Sequence, residues 1–279
     1  PLLPAPLPPA PLLSSPHLSP PPYTFSTLAE DITTHLPCIS PYPHPSLEID
    51  YTTGLIPSLS VMSPTFLDDT SAPTGSLGLY VKACVLLGRV VNYLQRLPRT
   101  KCVKQGAACS AVKAHNKALP GFIELDVALS RFKESVGPRL YDAVGDGIDG
   151  FLVSAYCIPH AATILLHESF TDRYVRDPTS SLSRCLAAAK CVVNAMHVLY
   201  GSSHDLAGGD PFQPVCWSIA GRALVRDFAT RRLWGDHDEA EVSRGLAEDC
   251  LEFHEVCQKG GSGIAGALAQ TLRRHLSNP

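Results

Sequence analysis

The sequence predicts an all-α protein: an irregular multi-helix bundle behind a proline-rich, largely disordered N-terminal segment. Three observations carry this. After residue 75 the apolar residues recur at three- and four-residue spacing in seven separate runs. No run alternates apolar and polar residues as a half-buried strand would. Of 25 prolines, fourteen stand at or before Pro45, and each removes a backbone donor and fixes φ.

Residues 1–22 are therefore expected to be a polyproline-like linker. Residues 23–75 stay turn-rich and irregular, with a short helical possibility near Ser26 to Thr34. The helical domain is expected over 76–279. Its first helix carries Leu79, Ala83, Leu86, Val90, Leu94 and Leu97 on one face and Lys82, Arg89 and Arg96 on the other, and stops at Pro98. A second helix, with Phe122, Leu125, Leu129, Phe132 and Val136, is expected to end at Gly137-Pro138. The third runs from about Gly150 to Phe170, with Pro159 expected to kink or split it.

The fourth helix begins behind Thr179 as N-cap. Leu182, Leu186, Ala189, Val193, Met196 and Tyr200 form its stripe, and Lys190, Asn194 and His197 leave only a narrow polar edge. Such a helix belongs in the middle of a bundle. Trp217, Gly221, Leu224 and Phe228 define a fifth, flanked by Arg222 and Arg226. Val242, Leu246, Cys250, Phe253 and Cys257 define a sixth, ended by Gly260-Gly261, and a last helix covers about Ile264 to Leu276.

Composition narrows the function. The chain has 279 residues, 45% hydrophobic and 18% charged, enough to bury a real core. Its 23 basic and 26 acidic residues give a net charge of −3, which argues against direct nucleic-acid binding. The ten cysteines form no CxxC pair and fall mostly in helical apolar runs; reduced core thiols are expected. No basic region leads into an apolar run at the N-terminus, so no signal peptide is expected. The apolar stretch between Asp149 and Glu168 falls short of the roughly 20 residues of a bilayer span and is expected to be a buried core helix, with no membrane contact. The chain starts at Pro1 rather than Met and is expected to be a piece of something longer.

Motifs for chemistry are incomplete. Cys250, His254 and Cys257 share a helix face but lack the fourth ligand and short clip of a structural zinc. Cys102 and Cys109 are similarly unsupported. His167-Glu168 begins like a zincin helix, yet Phe170 and Thr171 stand where the second His belongs. Asp68-Asp69 has no third acid, and Asp142, Asp146 and Asp149 lack the terminal Glu of a calcium loop. Gly208-Gly209-Asp210-Pro211 reads as a turn before a helix. No metal, cofactor or catalytic residue is expected. His160 and His167, seven residues apart on one apolar helix face, are either core histidines or the lining of a pocket.

Four segments resemble one family in the same order. Leu79 to Val90 resembles the "LYIKAxxLLGRV" segment of fungal-specific transcription factor regulatory domains, and Pro159 to His167 its "PHxATILLH" signature. Ser183 to Ala189 is similar to its "CLxAAR" helix, and Asp210 to Leu224 to its "DPFxxxCWxxAGRxL" element. Asp31 to Pro37 is similar to the "DIxxxLP" end of its central regulatory homology region. The resemblance implies a regulatory module of an RNA polymerase II transcription factor, nuclear, without the DNA-binding zinc cluster. Zinc is then expected only in that absent cluster of the parent protein. The implied partners are transcriptional co-regulators or a self-dimer, with a possible small-molecule inducer, and His160, His167 and Arg222 are the candidate regulatory or pocket residues. The alternative is a small-molecule enzyme or ligand-binding helical domain with a pocket near His160 and His167.

Overall fold

The computed structural model describes residues 75–97, 119–142, 149–171, 177, 179–201, 210 and 212–278. The expectations for residues 1–74, including Asp68-Asp69, and for Cys102, Cys109 and Asp146 lie outside them. Within the described residues every regular element is a helix: α1 (Ser76–Arg96), α2 (Pro120–Asp142), α3 (Gly150–Glu168), α4 (Ser181–Gly201), α5 (Phe212–Trp234), α6 (His237–Lys259) and α7 (Gly263–Ser277).

The architecture follows from α3. It is apolar around its whole circumference, and every residue from Leu152 to Ile164 is buried. Such a helix must be covered on all sides, and α1, α2, α4 and α5 cover it. A buried Leu or Ile such as Leu152, Ile158, Ile164 or Leu166 stabilises the fold by about 1.5–3 kcal/mol. By length and composition α1, α3 and α4 are each long and apolar enough to cross a membrane. The 19 residues of α3 are therefore long enough, contrary to the sequence expectation, but 83% of its apolar window is buried against the other helices.

A second centre forms around α5, which packs on α3, α4, α6 and α7. Gly221 permits its close approach to α7: a Cβ there would stand 2.8 Å from Leu272 Cδ2 and 3.3 Å from Cys250 Cβ. At the other end of the α5–α6 pair, buried Asp227 accepts from Ser243 Oγ at 2.5 Å and from Arg231 Nε at 2.7 Å. The turns on either side of α6 each contain one left-handed residue, Gly235 (φ 79°) and Gly261 (φ 99°), a conformation in which a Cβ would crowd the following carbonyl.

Several boundaries differ from expectation. Gly137-Pro138 does not end α2, which continues to Asp142. Pro138 and Glu134, whose carbonyl loses its helical partner, are both exposed, so the lost bond lies on the outer side of the helix and not in the core. Helix α3 is not split at Pro159. The cap of α4 is Ser180 rather than Thr179: Ser183 N–H donates to Ser180 Oγ at 3.2 Å. Thr179 is held instead by Asp177, to which its N–H (2.8 Å) and hydroxyl (2.9 Å) both donate. Lys82 is buried because it stands three residues from Leu79 and four from Leu86, within the stripe. Val242 is exposed, since eight residues from Cys250 leaves it about 80° round the helix.

Cys157, Cys185, Cys216 and Cys250 are buried. Loss of hydration pushes the thiols of Cys157 and Cys185 up to about 12.

Replacing Gly221 with Val should overpack the α5–α7 contact and lower stability by about 1–3 kcal/mol. Denaturant unfolding checks this, with Gly245→Val, at an open position, as the comparison.

Candidate functional site

The functional candidates cluster at the C-terminal end of α3. His167 lies in its last turn, fully buried, with both ring nitrogens engaged. Its Nε2 is 3.0 Å from Asp126 Oδ1 on α2, and its Nδ1 is 3.1 Å from Ser181 Oγ at the start of α4. An ionised carboxylate only accepts, so Nε2 carries the proton; in the neutral ring Nδ1 then accepts from the Ser181 hydroxyl. The ring also packs edge-on against Phe122, which packs likewise against Phe170.

Asp126 is held from a second side by Arg184 of α4, whose Nη1 donates to Oδ1 at 2.7 Å. Burial alone would raise the Asp126 carboxyl. The hydrogen bond from His167 and the charges of His167 and Arg184 outweigh it and hold the carboxyl below its ordinary value. Next to His167, Glu168 pairs with Arg226 and, at 4.0 Å, with Arg222 of α5. Arg222 Nε is buried with no partner among the described residues. Four helices, α2 to α5, are thus tied together within one turn of α3.

Two turns earlier, about 10 Å along the axis, His160 faces the same neighbour. It is 7% exposed, packed on Tyr156 at 4.7 Å, with Nδ1 unpartnered among the described residues. Burial, then the charge of Lys133, lowers its pKa to about 3. Lys133 of α2 donates to Thr163 Oγ1 at 3.0 Å, and burial lowers its own pKa. His160 and His167 therefore share a face of α3 but not a set of partners.

Ser181, His167 and Asp126 are joined in the order of a nucleophile, base and orienting acid. Ser181 is only 3% exposed and His167 not at all. In this closed state the bonds act as a strut across three helices. Asp149, read as part of an acidic turn, caps α3 by accepting from Phe151 N–H at 2.9 Å.

The α5–α6 seam holds a further polar point. His254 is fully buried, both its nitrogens lack partners among the described residues, and the same is true of Nε1 of Trp217, whose ring is 6.0 Å away. Burial lowers the His254 pKa to about 4. Cys250 and Cys257 on the same helix are buried with it, and no group of three ligating side chains among the described residues is placed to hold a metal ion.

Sequence reasoning singled out His160, His167 and Arg222 but missed Asp126, Ser181 and Arg184, and weighed Glu168 only as part of an incomplete zincin motif. A carboxylate on the apolar side of α2 was the available signal for Asp126. Nothing in the spacing marks Ser181, which meets His167 across the contact between α3 and α4.

The clasp should behave as a unit. In a double-mutant cycle, His167→Ala and Asp126→Ala should be non-additive by about 1–2 kcal/mol in denaturant unfolding, whereas Glu168→Gln, on an exposed-side pair, should cost at most about 1 kcal/mol. Additive effects at His167 and Asp126 would show that no coupled network exists.

A pH dependence also follows. Unfolded histidine takes up a proton near 6.5, but His254 and His160 in the folded chain do so only near 4 and 3. The unfolded state then binds more protons, so stability is full above about pH 6.5 and falls as pH drops toward 4 and 3. The melting temperature of the chain carrying both His160→Leu and His254→Leu should fall less steeply between pH 6.5 and 4.

No family model, curated protein or solved structure matches this chain.

Proposed function

We propose that the chain is the regulatory module of a fungal RNA polymerase II transcription factor. It works in the nucleus through contacts with co-regulators, a self-dimer or a small-molecule inducer, and not through chemistry of its own. DNA binding and zinc belong, on this reading, to a cluster elsewhere in the parent protein.

The observation that carries it is the distribution of the four family-like segments. They fall on α1, α3, α4 and α5, and α3 packs against the other three. The alternative, small-molecule chemistry in a pocket at His160 and His167, has less support because both side chains are buried.

A regulatory domain of this kind needs two packings whose balance a partner shifts, and a partner shifts it only by binding one packing better. The clasp suits that role: releasing Glu168 from Arg222 and Arg226 would remove the ion pairs between α3 and α5 at that end while leaving His167 with Asp126 and Ser181. Fusing the chain to a heterologous DNA-binding domain should change reporter output severalfold relative to an inert helical fusion, and disrupting the Glu168 pairs should alter that output. An output equal to that of the inert fusion would count against the proposal.

A further inference from the structure

Helix α1 is as apolar as the hub it covers, yet only 33% of its apolar window is buried, against 83% for α3. Its inner side, with Leu79, Ala83, Leu86 and Val90, is buried on α3, and α2 lies beside it. On the outer side stand Leu77, Val81, Cys84, Val85, Gly88 and Asn92, which share about 100° of arc. None of the six is buried and none carries a charge. A helix face left to solvent is normally polar, whereas this is the composition of a face that packs on another helix.

Gly88 lies within this face. Glycine inside a helix weakens it, and Gly221 shows the usual compensation, a close neighbour. At Gly88 a Cβ would meet nothing within 4 Å among the described residues, so the gap serves no contact described within the chain. The six positions are also spaced symmetrically about the midpoint between Cys84 and Val85. A second copy turned about a two-fold axis at that midpoint runs antiparallel and sets Val81 of each chain over Gly88 of the other, a branched side chain into a gap, twice by symmetry.

The charges at the two ends select the same direction. Asp149 and Asp210 flank the start of α1, where they accept from the hydroxyls of Ser76 and Tyr80. The last turn instead carries Arg96, which is exposed. In the antiparallel pair Arg96 of one copy comes within about one turn of Ser76, and so of Asp149, in the other. A parallel pair would set acid on acid and Arg96 on Arg96.

We propose that the outer face of α1 is a self-association surface that pairs antiparallel with the same face of a second copy. The inference goes beyond the regulatory reading, which names a self-dimer without a surface, and does not rest on it.

The test is sedimentation equilibrium of the purified full chain. One helix face makes a small interface, so a reversible dimer with a dissociation constant of about 100 µM or tighter is expected. Val81→Glu and Gly88→Glu should each weaken it about tenfold or more, because each buries a charge in the pair. Neither should change helicity, since Gly88 is open and Val81 is not buried. Leu233→Glu, at a residue 72% exposed at the far end of α5, should leave the dimer unchanged. Val81→Glu combined with Gly88→Lys in one chain brings opposite charges together across an antiparallel pair, and should recover most of the affinity that Gly88→Lys alone removes. A chain that stays monomeric at about 1 mM, a dimer indifferent to both glutamate variants, or no recovery in the combined variant overturns the proposal. Flotation of the chain with phosphatidylcholine vesicles in place of dimerisation would assign the face to a bilayer and overturn it too. No readout involves transcription, so failure here is distinct from failure of the reporter test.

Discussion

The enclosure of α3 is the constraint on which the other elements depend. With no polar side along its first four turns, the helix has to be surrounded, and among the described residues its covers are faces of α1, α2, α4 and α5. That requirement sets the order of assembly in space. Helices near in sequence flank the hub, while α6 and α7 have no place on it and build outward from α5. The Gly221 approach and the Asp227–Ser243 bond then fix the outer layer to the inner one.

A core this apolar gives little directional information, because hydrophobic burial is insensitive to small rotations and slides. The polar contacts supply it. His167 can be satisfied only when α2 and α4 stand at one height along α3, and Gln213 of α5 reaches Gly150 O and Ser154 Oγ at the other end. Buried polar bonds of this sort add little net stability when made but cost much when broken. They therefore select among packings of similar burial, which is also what a domain poised between two arrangements requires.

Much of this was legible in the sequence for a definite physical reason. Periodicity reports which face of a helix meets water, and for α1, α4 and α5 the stripes agree with the buried faces apart from Lys82 and the exposed end of α4 at Tyr200. Boundaries were less legible where a local signal competed with another. Pro138 was tolerated because it and Glu134, whose carbonyl loses its bond, both stand on the exposed side of α2, and Asp177 captured Thr179 before it could cap α4. The junction at His167 was half legible. The histidine stood out as polar in an apolar run, but its partners lie 41 and 14 residues away, and such pairings arise from tertiary packing that no local pattern encodes.

The thiols described in the core have a consequence for how the molecule ages. A cysteine reacts as thiolate, and burial has moved Cys157 and Cys185 so far that almost none exists at neutral pH. An oxidant meeting the native chain finds these sulfurs both shielded and chemically mute. It finds them reactive only in a molecule that has already opened, where the pKa returns toward its ordinary value. Oxidation would then mark opened chains and hinder their return to the native core, because a sulfinic or sulfonic group does not fit among apolar side chains. Damage would accumulate in proportion to excursions from the fold rather than to time spent in it.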